Sequence, residues 1–198
     1  MVETSPVARI PGRRPYSLGE EIANNVIHGV GVVLSVVGLT LLVVFAVDSG
    51  SGWNLVAGII YGITLPLDPL IAGTYTPFIL VTLRGDGYWW MLSLVWAIAL
   101  AGIAAEAFWV YRPRWVSVAV YLVMGWLIVL IIEPLARNLD PAAVWLLAAG
   151  GLAYTFGTIF YVLKRVPYMH AVWHAFVLAG AVCQFLAVAL FVIGGEPA

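Results

Sequence analysis

Charge is scarce in this sequence. Aspartate, glutamate, lysine and arginine together make up 10% of its 198 residues, whereas a soluble domain carries about 25%. Hydrophobic residues make up 63%. Too little polar surface remains to cover a globule in water, which excludes an ordinary soluble domain. We expect lipid to be the solvent of this chain.

Cysteine is almost absent, and neither sign of charge dominates. The one cysteine, Cys183, lies inside an apolar run, so no intrachain disulfide can form, and a small core residue is the plain interpretation. The net charge of −1 provides no basic field for nucleic acid. The partner that we expect is membrane lipid, and the sequence gives no indication of oligomeric state.

Long apolar runs predict an all-α, polytopic transmembrane helix bundle in a single domain covering residues 1–198. A polar tail at 1–16 precedes the first run, which is too long for a cleaved signal peptide. We predict spans near residues 22–47, 89–105, 115–132, 142–163 and 170–193. Ser17 followed by Glu20 is a capping box that begins the first helix. Asp140 before Pro141 predicts another helix start. Nine Trp and nine Tyr suit the two membrane–water boundaries.

The stretch 53–83 does not fit one straight span. As a single helix it would be about 46 Å long, against roughly 30 Å of hydrocarbon. Its middle contains Pro66, Asp68 and Pro69, which argue against an unbroken helix. It is therefore either one long kinked crossing or a hairpin of two short arms.

The basic residues favour the hairpin. With a hairpin, two basic residues, Arg84 and Arg137, lie on one side and seven on the other, whereas a single crossing gives five against four. The seven are Arg9, Arg13, Arg14, Arg112, Arg114, Lys164 and Arg165. The positive-inside rule then predicts a cytoplasmic N-terminus and a hairpin entered from outside.

Two histidines, His170 and His174, are spaced i, i+4 at the start of the last span. This spacing puts both imidazoles on one helix face, a geometry that suits two ligands of one zinc ion. The alternative is a pair of interfacial histidines that hydrogen-bond neighbours or water. Because a catalytic zinc site uses three protein ligands, two histidines alone do not complete one.

Three further polar residues, Glu21, Asn24 and His28, share one face near the cytoplasmic end of the first helix. They are expected at the depth of His170 and His174. The alternative is a polar, solvated helix entrance, which is the better explanation for Glu21 taken alone. Asp68 is a carboxylate in an apolar stretch, where an ionised group needs a partner or a metal.

The chain resembles the bacterial hemolysin III family of the progestin and adipoQ receptor superfamily. The resemblance lies in Glu21-x2-Asn24-x3-His28, in the segment from Ile71 to Phe78, and in the closing His170-x3-His174. It implies seven helices, a cytoplasmic N-terminus, a bacterial inner membrane location and a likeness to alkaline ceramidases. It also implies zinc near the cytoplasmic side, with His170 and His174 as two ligands.

The family's third ligand is a histidine in a Ser-x3-His motif at the end of the second helix, and this chain contains no such motif. The end of the second helix, the following loop and the start of the third helix are missing. We therefore expect the second and third helices to be shortened into the hairpin. We predict that Asp68, at its tip, lies beside His170 and His174 as a catalytic or ligating group that partly replaces the missing histidine.

Two interpretations of function follow. In the first, the protein is a zinc-dependent intramembrane hydrolase of a lipid amide or ester. In the second, it is a non-catalytic membrane protein of cytolytic, receptor-like or degenerate type. The missing histidine favours the second interpretation, and the retained polar residues favour the first.

Overall fold

The computed structural model describes residues 16–65, 70–108, 114–163 and 166–195, and this part of the chain is helical almost throughout. Its α-helices are α1 Leu18–Asp48, α2 Gly52–Thr64, α3 Leu70–Pro77, α4 Trp89–Phe108, α5 Arg114–Trp126, α6 Ile132–Asn138, α7 Pro141–Val162 and α8 Met169–Val188. A 3-10 turn, Leu127–Ile131, joins α5 to α6. Four segments are long and apolar enough to cross a membrane, and α2, α3 and α4 form three shorter apolar segments. The seven together confirm the predicted all-α bundle.

Both predicted helix starts are confirmed. The Ser17 side chain accepts a hydrogen bond from the Glu20 backbone N–H, and the Glu20 carboxylate accepts one from the Ser17 N–H. At the start of α7, Asp140 accepts from the Ala142 N–H, and Pro141 occupies the first turn. These caps satisfy N–H groups that would otherwise have no partner at a helix start.

The second and third helices form the predicted hairpin. At its open end, Arg84 lies over the Trp53 ring at 4.3 Å, and Trp53 packs against Trp89. At its closed end, Gly73 of α3 packs directly against Thr64 of α2. The arms are therefore antiparallel, since the start of α2 lies beside the residues that follow α3.

The arms are short, and the hairpin ends inside the bundle. Leu65 packs at Gly38, near the middle of α1, together with Phe185 of α8. After Pro77 the helix widens into a π-helical turn, Phe78–Thr82, consistent with the hydrogen bond that a proline cannot make. Another π-helical turn, Ala189–Ile193, continues α8, and the Ile193 carbonyl accepts from the Asn54 side chain at 3.2 Å.

The last two long helices pack very closely because glycines lie between them. A Cβ on Gly150 of α7 would lie 3.1 Å from the Gly180 carbonyl of α8, and one on Gly157 would meet Phe176 at 3.0 Å. Small residues allow such approach in membranes, where packing rather than water exclusion drives helix association. This close pair fixes the position of α8 and of the histidines at its start.

Candidate metal and lipid site

Three histidines from two helices come together in the structure, and we call His28, His170 and His174 the histidine cluster. His28 lies on α1, whereas the other two lie on the first turns of α8. The ring centroid of His174 is 4.6 Å from that of His28 and 4.6 Å from that of His170. The structure thus joins two groups that the sequence had placed only at similar depth.

His170 and His174 face one another as their spacing predicts. Their Nε2 atoms are 3.2 Å apart. Two nitrogens bound to one tetrahedral zinc at ~2.05 Å would be about 3.3 Å apart. The same separation also suits a hydrogen bond between the rings. The two nitrogens therefore have the right spacing for an edge of a metal site without needing to move.

Aromatic rings pack against His170 and His174, whereas His28 is exposed. Tyr16 stacks on His170 with a centroid distance of 5.7 Å, and Trp173 lies 4.4 Å from His174. Tyr161 of α7 packs in turn against Trp173 at 4.9 Å. These rings restrict the orientation of the two imidazoles. The stacking of Tyr16 on His170 was not predicted, since the two residues are 154 positions apart in the sequence.

Glu20 connects the helices that carry the cluster. Its side chain is 2% exposed, and while one oxygen accepts from the Ser17 N–H, the other accepts from the Tyr168 N–H at 2.9 Å. Tyr168 precedes α8 in a left-handed conformation, with φ of 62°. One carboxylate therefore connects the start of α1 to the start of α8. The capping box revealed Glu20, but nothing in the sequence revealed its second contact.

The other predicted polar residues have different surroundings. Glu21 is exposed, and the structure does not bring it into the cluster. Asn24 is half-buried, and its Oδ1 has no hydrogen-bond partner among the described residues. Asp68 lies outside the described residues, so its place beside His170 and His174 stays a prediction.

A large cavity opens beside the cluster, with a volume of about 1350 Å³. Pockets for small ligands usually measure about 300–1,000 Å³. Side chains of α1, α3, α5, α7 and α8 line it, including His28, His174 and the hairpin residues Leu65 and Leu70. Most of the other lining residues are apolar. The wall therefore combines mainly apolar side chains with two imidazoles.

The described residues fit part of a metal site. The pair His170 and His174 has the required spacing, but no group of three His, Cys, Asp or Glu side chains is arranged for a metal in the segments that the structure describes. A third protein ligand would have to come from another part of the chain. Asp68 lies in the sequence between Leu65 and Leu70, two described residues that line the same cavity.

Known proteins resemble this chain over most of its length. The family described as Haemolysin-III related matches residues 69–185. A Hemolysin-3 homolog of Bacillus subtilis is 38% identical to this chain, and the alignment covers 90% of this chain and 97% of the homolog's length. A Hemolysin-3 of Bacillus cereus is also 38% identical, covering 88% and 92%. The human monocyte to macrophage differentiation factor is 29% identical over 60% of this chain and 49% of its own. No solved structure matches.

This chain is shorter than the Bacillus subtilis relative over the aligned range. The match to the Bacillus subtilis relative runs over 206 residues, whereas 90% of this chain is only about 178 residues. About 28 positions of that relative therefore have no counterpart here. The family match begins at residue 69, in the loop between α2 and α3. This agrees with the missing segment that the sequence indicated there.

Proposed function

This chain belongs to the haemolysin-III-related family, and from that premise we propose that it is a zinc-dependent intramembrane hydrolase of a lipid amide or ester. The observation that carries the proposal is the shared wall of the cavity. His28 and His174 line the same space as the apolar side chains of five helices. An acyl chain in that space would bring its carbonyl end to the histidine cluster.

His170 and His174 are the residues that would hold the metal. When bound, zinc polarises a carbonyl and lowers the pKa of water, which is the chemistry needed to cleave an amide or ester. The chain's own groups position these histidines: Glu20 fixes the start of α8 against α1, and Tyr16 and Trp173 pack on the imidazoles. Asp68 is our candidate for the remaining ligand or for a proton-transferring carboxylate.

The orientation belongs to the same proposal. We propose a bacterial inner-membrane protein with a cytoplasmic N-terminus, since seven of nine basic residues then lie on the cytoplasmic side. His28 lies about three turns into α1, and His170 and His174 lie in the first turns of α8. Both helices would begin at the cytoplasmic side. The reaction would therefore take place in the inner leaflet.

Zinc content tests the metal site directly. In protein purified in detergent, we expect about one zinc per chain, as for other zinc sites with protein ligands. His170→Ala and His174→Ala should each lose it, because neighbouring groups cannot replace a ligand of a short set. His28→Ala is the matched control and should keep it. Loss of metal from His28→Ala alone would overturn the assignment.

Release of fatty acid from a lipid amide and from a phospholipid ester, followed by mass spectrometry, tests the reaction. The zinc-loaded protein should release fatty acid from one of them, and His174→Ala should not. Equal release by the protein and by His174→Ala would contradict the hydrolase.

The second candidate is a non-catalytic membrane protein of cytolytic or receptor-like type. It is favoured by one observation: among the described residues, two histidines but no complete ligand set are in place. The name Hemolysin-3, printed for the Bacillus cereus relative, suggests lysis for that protein. Lysis of liposomes by zinc-free protein, with no fatty acid released, would support this candidate over the hydrolase.

A further inference from the structure

The cavity has a second polar region, far from the histidine cluster. Thr74 of α3, Tyr154 of α7 and Gln184 of α8 all line it, and we call these three residues the mid-cavity polar site. The Thr74 hydroxyl lies 3.3 Å from the Gln184 side-chain oxygen. Three helices thus bring hydrogen-bonding groups to one level of a wall that is otherwise mainly apolar.

The hydroxyl of Tyr154 is the most informative of these groups. It is buried, and it has no hydrogen-bond partner among the described residues. Gly180 packs against the ring, since a Cβ there would lie 3.0 Å from Tyr154 Cζ. Phenylalanine would fill the same space and would avoid the penalty of an unpaired hydroxyl. The hydroxyl is therefore a hydrogen-bonding group left without a described partner on a residue that lines the cavity.

The distance between the histidine cluster and the mid-cavity polar site limits the kind of molecule that could carry a polar partner for the Tyr154 hydroxyl. Gln184 follows His174 by ten residues along α8, which corresponds to about 15 Å. Tyr154 precedes Tyr161 by seven residues on the same face of α7, about 10 Å, and Tyr161 packs against Trp173 beside His174. An extended acyl chain advances roughly 1.3 Å per carbon for bonds of about 1.5 Å. The separation therefore corresponds to about 8–12 carbons.

We propose that the cavity binds a long acyl chain that carries a hydroxyl about 8–12 carbons from its carbonyl end, and that the mid-cavity polar site recognises this hydroxyl. Tyr154 and Gln184 can each donate and accept, which suits a hydroxyl partner. An unsubstituted chain would leave the Tyr154 hydroxyl without a hydrogen-bond partner. The inference rests on the proposed function only in placing the carbonyl end of the acyl chain beside the histidines.

Binding of matched fatty acids to the full chain in detergent tests the proposal. The probes are stearic acid, stearic acid hydroxylated at about carbon 10, and stearic acid hydroxylated on the carbon next to the carboxylate. The acid with the mid-chain hydroxyl should bind about fivefold more tightly than the other two, as one net hydrogen bond predicts. Equal binding of the three acids would overturn the proposal, as would no binding of any.

Two variants test whether Tyr154 is responsible for the preference for a mid-chain hydroxyl. Tyr154→Phe removes only the hydroxyl, so it should abolish the preference and leave the affinity for stearic acid within about twofold. Tyr161→Phe is the matched control on the same face of α7 and should retain the preference. A preference that survives Tyr154→Phe would contradict the assignment.

The outcome separates this inference from the proposed function. Zinc binding and lipid hydrolysis without any mid-chain preference would leave the hydrolase standing and remove the polar site. A mid-chain preference in a protein that binds no zinc would establish the polar site and remove the hydrolase.

Discussion

Glu20 and Glu21 are adjacent carboxylates with opposite surroundings. Glu20 is buried and accepts hydrogen bonds from Ser17 and Tyr168, whereas Glu21 is exposed. The difference arises because successive residues of a helix point about 100° apart, so only one of the two can face α8. The contact between Glu20 and Tyr168 joins residues 148 positions apart. It therefore fixes the start of the helix that carries His170 and His174.

Replacing Glu20 should weaken this connection measurably. In Glu20→Gln one carbonyl oxygen remains, so only one of the two backbone N–H groups keeps an acceptor. We expect the free energy of unfolding to fall by about 2 kcal/mol, as for hydrogen bonds to a charged group. The change is measured as a lower Tm by tryptophan fluorescence in detergent. The matched control, Glu21→Gln, should change the free energy of unfolding by no more than about 0.5 kcal/mol. Equal Tm values for the two variants would contradict this account.

Among the elements, the hairpin is the one whose packing depends most on a single residue. Gly73 of α3 faces Thr64 of α2 so closely that any Cβ would overlap the threonine side chain. The same arm then widens into the π-helical turn Phe78–Thr82. Glycine is required here by proximity rather than by backbone conformation, since Gly73 lies within a helix.

Gly73→Ala should therefore separate the two arms. Overpacking of this kind lowers the free energy of unfolding by about 1–3 kcal/mol. Gly102→Ala in α4 is the matched control, because no heavy atom outside its own helix neighbourhood lies within 4 Å of its Cβ position. Gly102→Ala should leave the free energy of unfolding unchanged or raise it by about 0.5–1 kcal/mol. Thermal unfolding of both variants in detergent measures the difference, and an unchanged Tm for Gly73→Ala would show that the arms do not pack as described.

At the scale of the whole molecule, the hairpin decides which loops share a side of the membrane. The two arms of the hairpin return the chain to the side of the membrane from which it entered. The loop before α5 and the loop after α6 therefore lie on the opposite sides of the membrane from those that a single crossing would give. Arg137, at the end of α6, is exposed and pairs with Glu133. In the proposed orientation Arg137 is outside and Lys164 is cytoplasmic.

Cysteine labelling in intact cells measures this orientation. In a Cys183→Ala background, a membrane-impermeant maleimide should label Arg137→Cys and should leave Lys164→Cys unlabelled until the cells are opened. The expected contrast follows from the seven-to-two distribution of basic residues. Labelling of Lys164→Cys from outside would overturn the proposed topology.

Local signals predicted much of this fold. The helix starts at Ser17 and Asp140 depend on residues one to three positions apart, so sequence alone identified them. The i, i+4 spacing likewise predicted that His170 and His174 face each other. Prolines in the loop and the distribution of arginines were enough to favour a hairpin over a kinked span.

Long-range contacts could not be predicted in this way. The second partner of Glu20, the stacking of Tyr16 on His170 and the approach of His28 to His174 all depend on how α1 packs against α8. No periodicity within one helix specifies a neighbour more than a hundred residues away. The cavity was likewise not predicted, because its wall is shared by five helices.

The shortness of the hairpin arms has a consequence for biosynthesis. Neither Gly52–Thr64 nor Leu70–Thr82 reaches the roughly 20 residues with which an independent span enters a bilayer. Two of their polar contacts are with α8 and its extension: Asn54 donates to the carbonyl of Ile193, 139 residues later, and Thr74 contacts Gln184, 110 residues later. We therefore expect the two arms to enter the membrane together as one unit. They reach their final partners only after the ribosome has synthesised α8, so insertion and folding of this segment are coupled rather than successive.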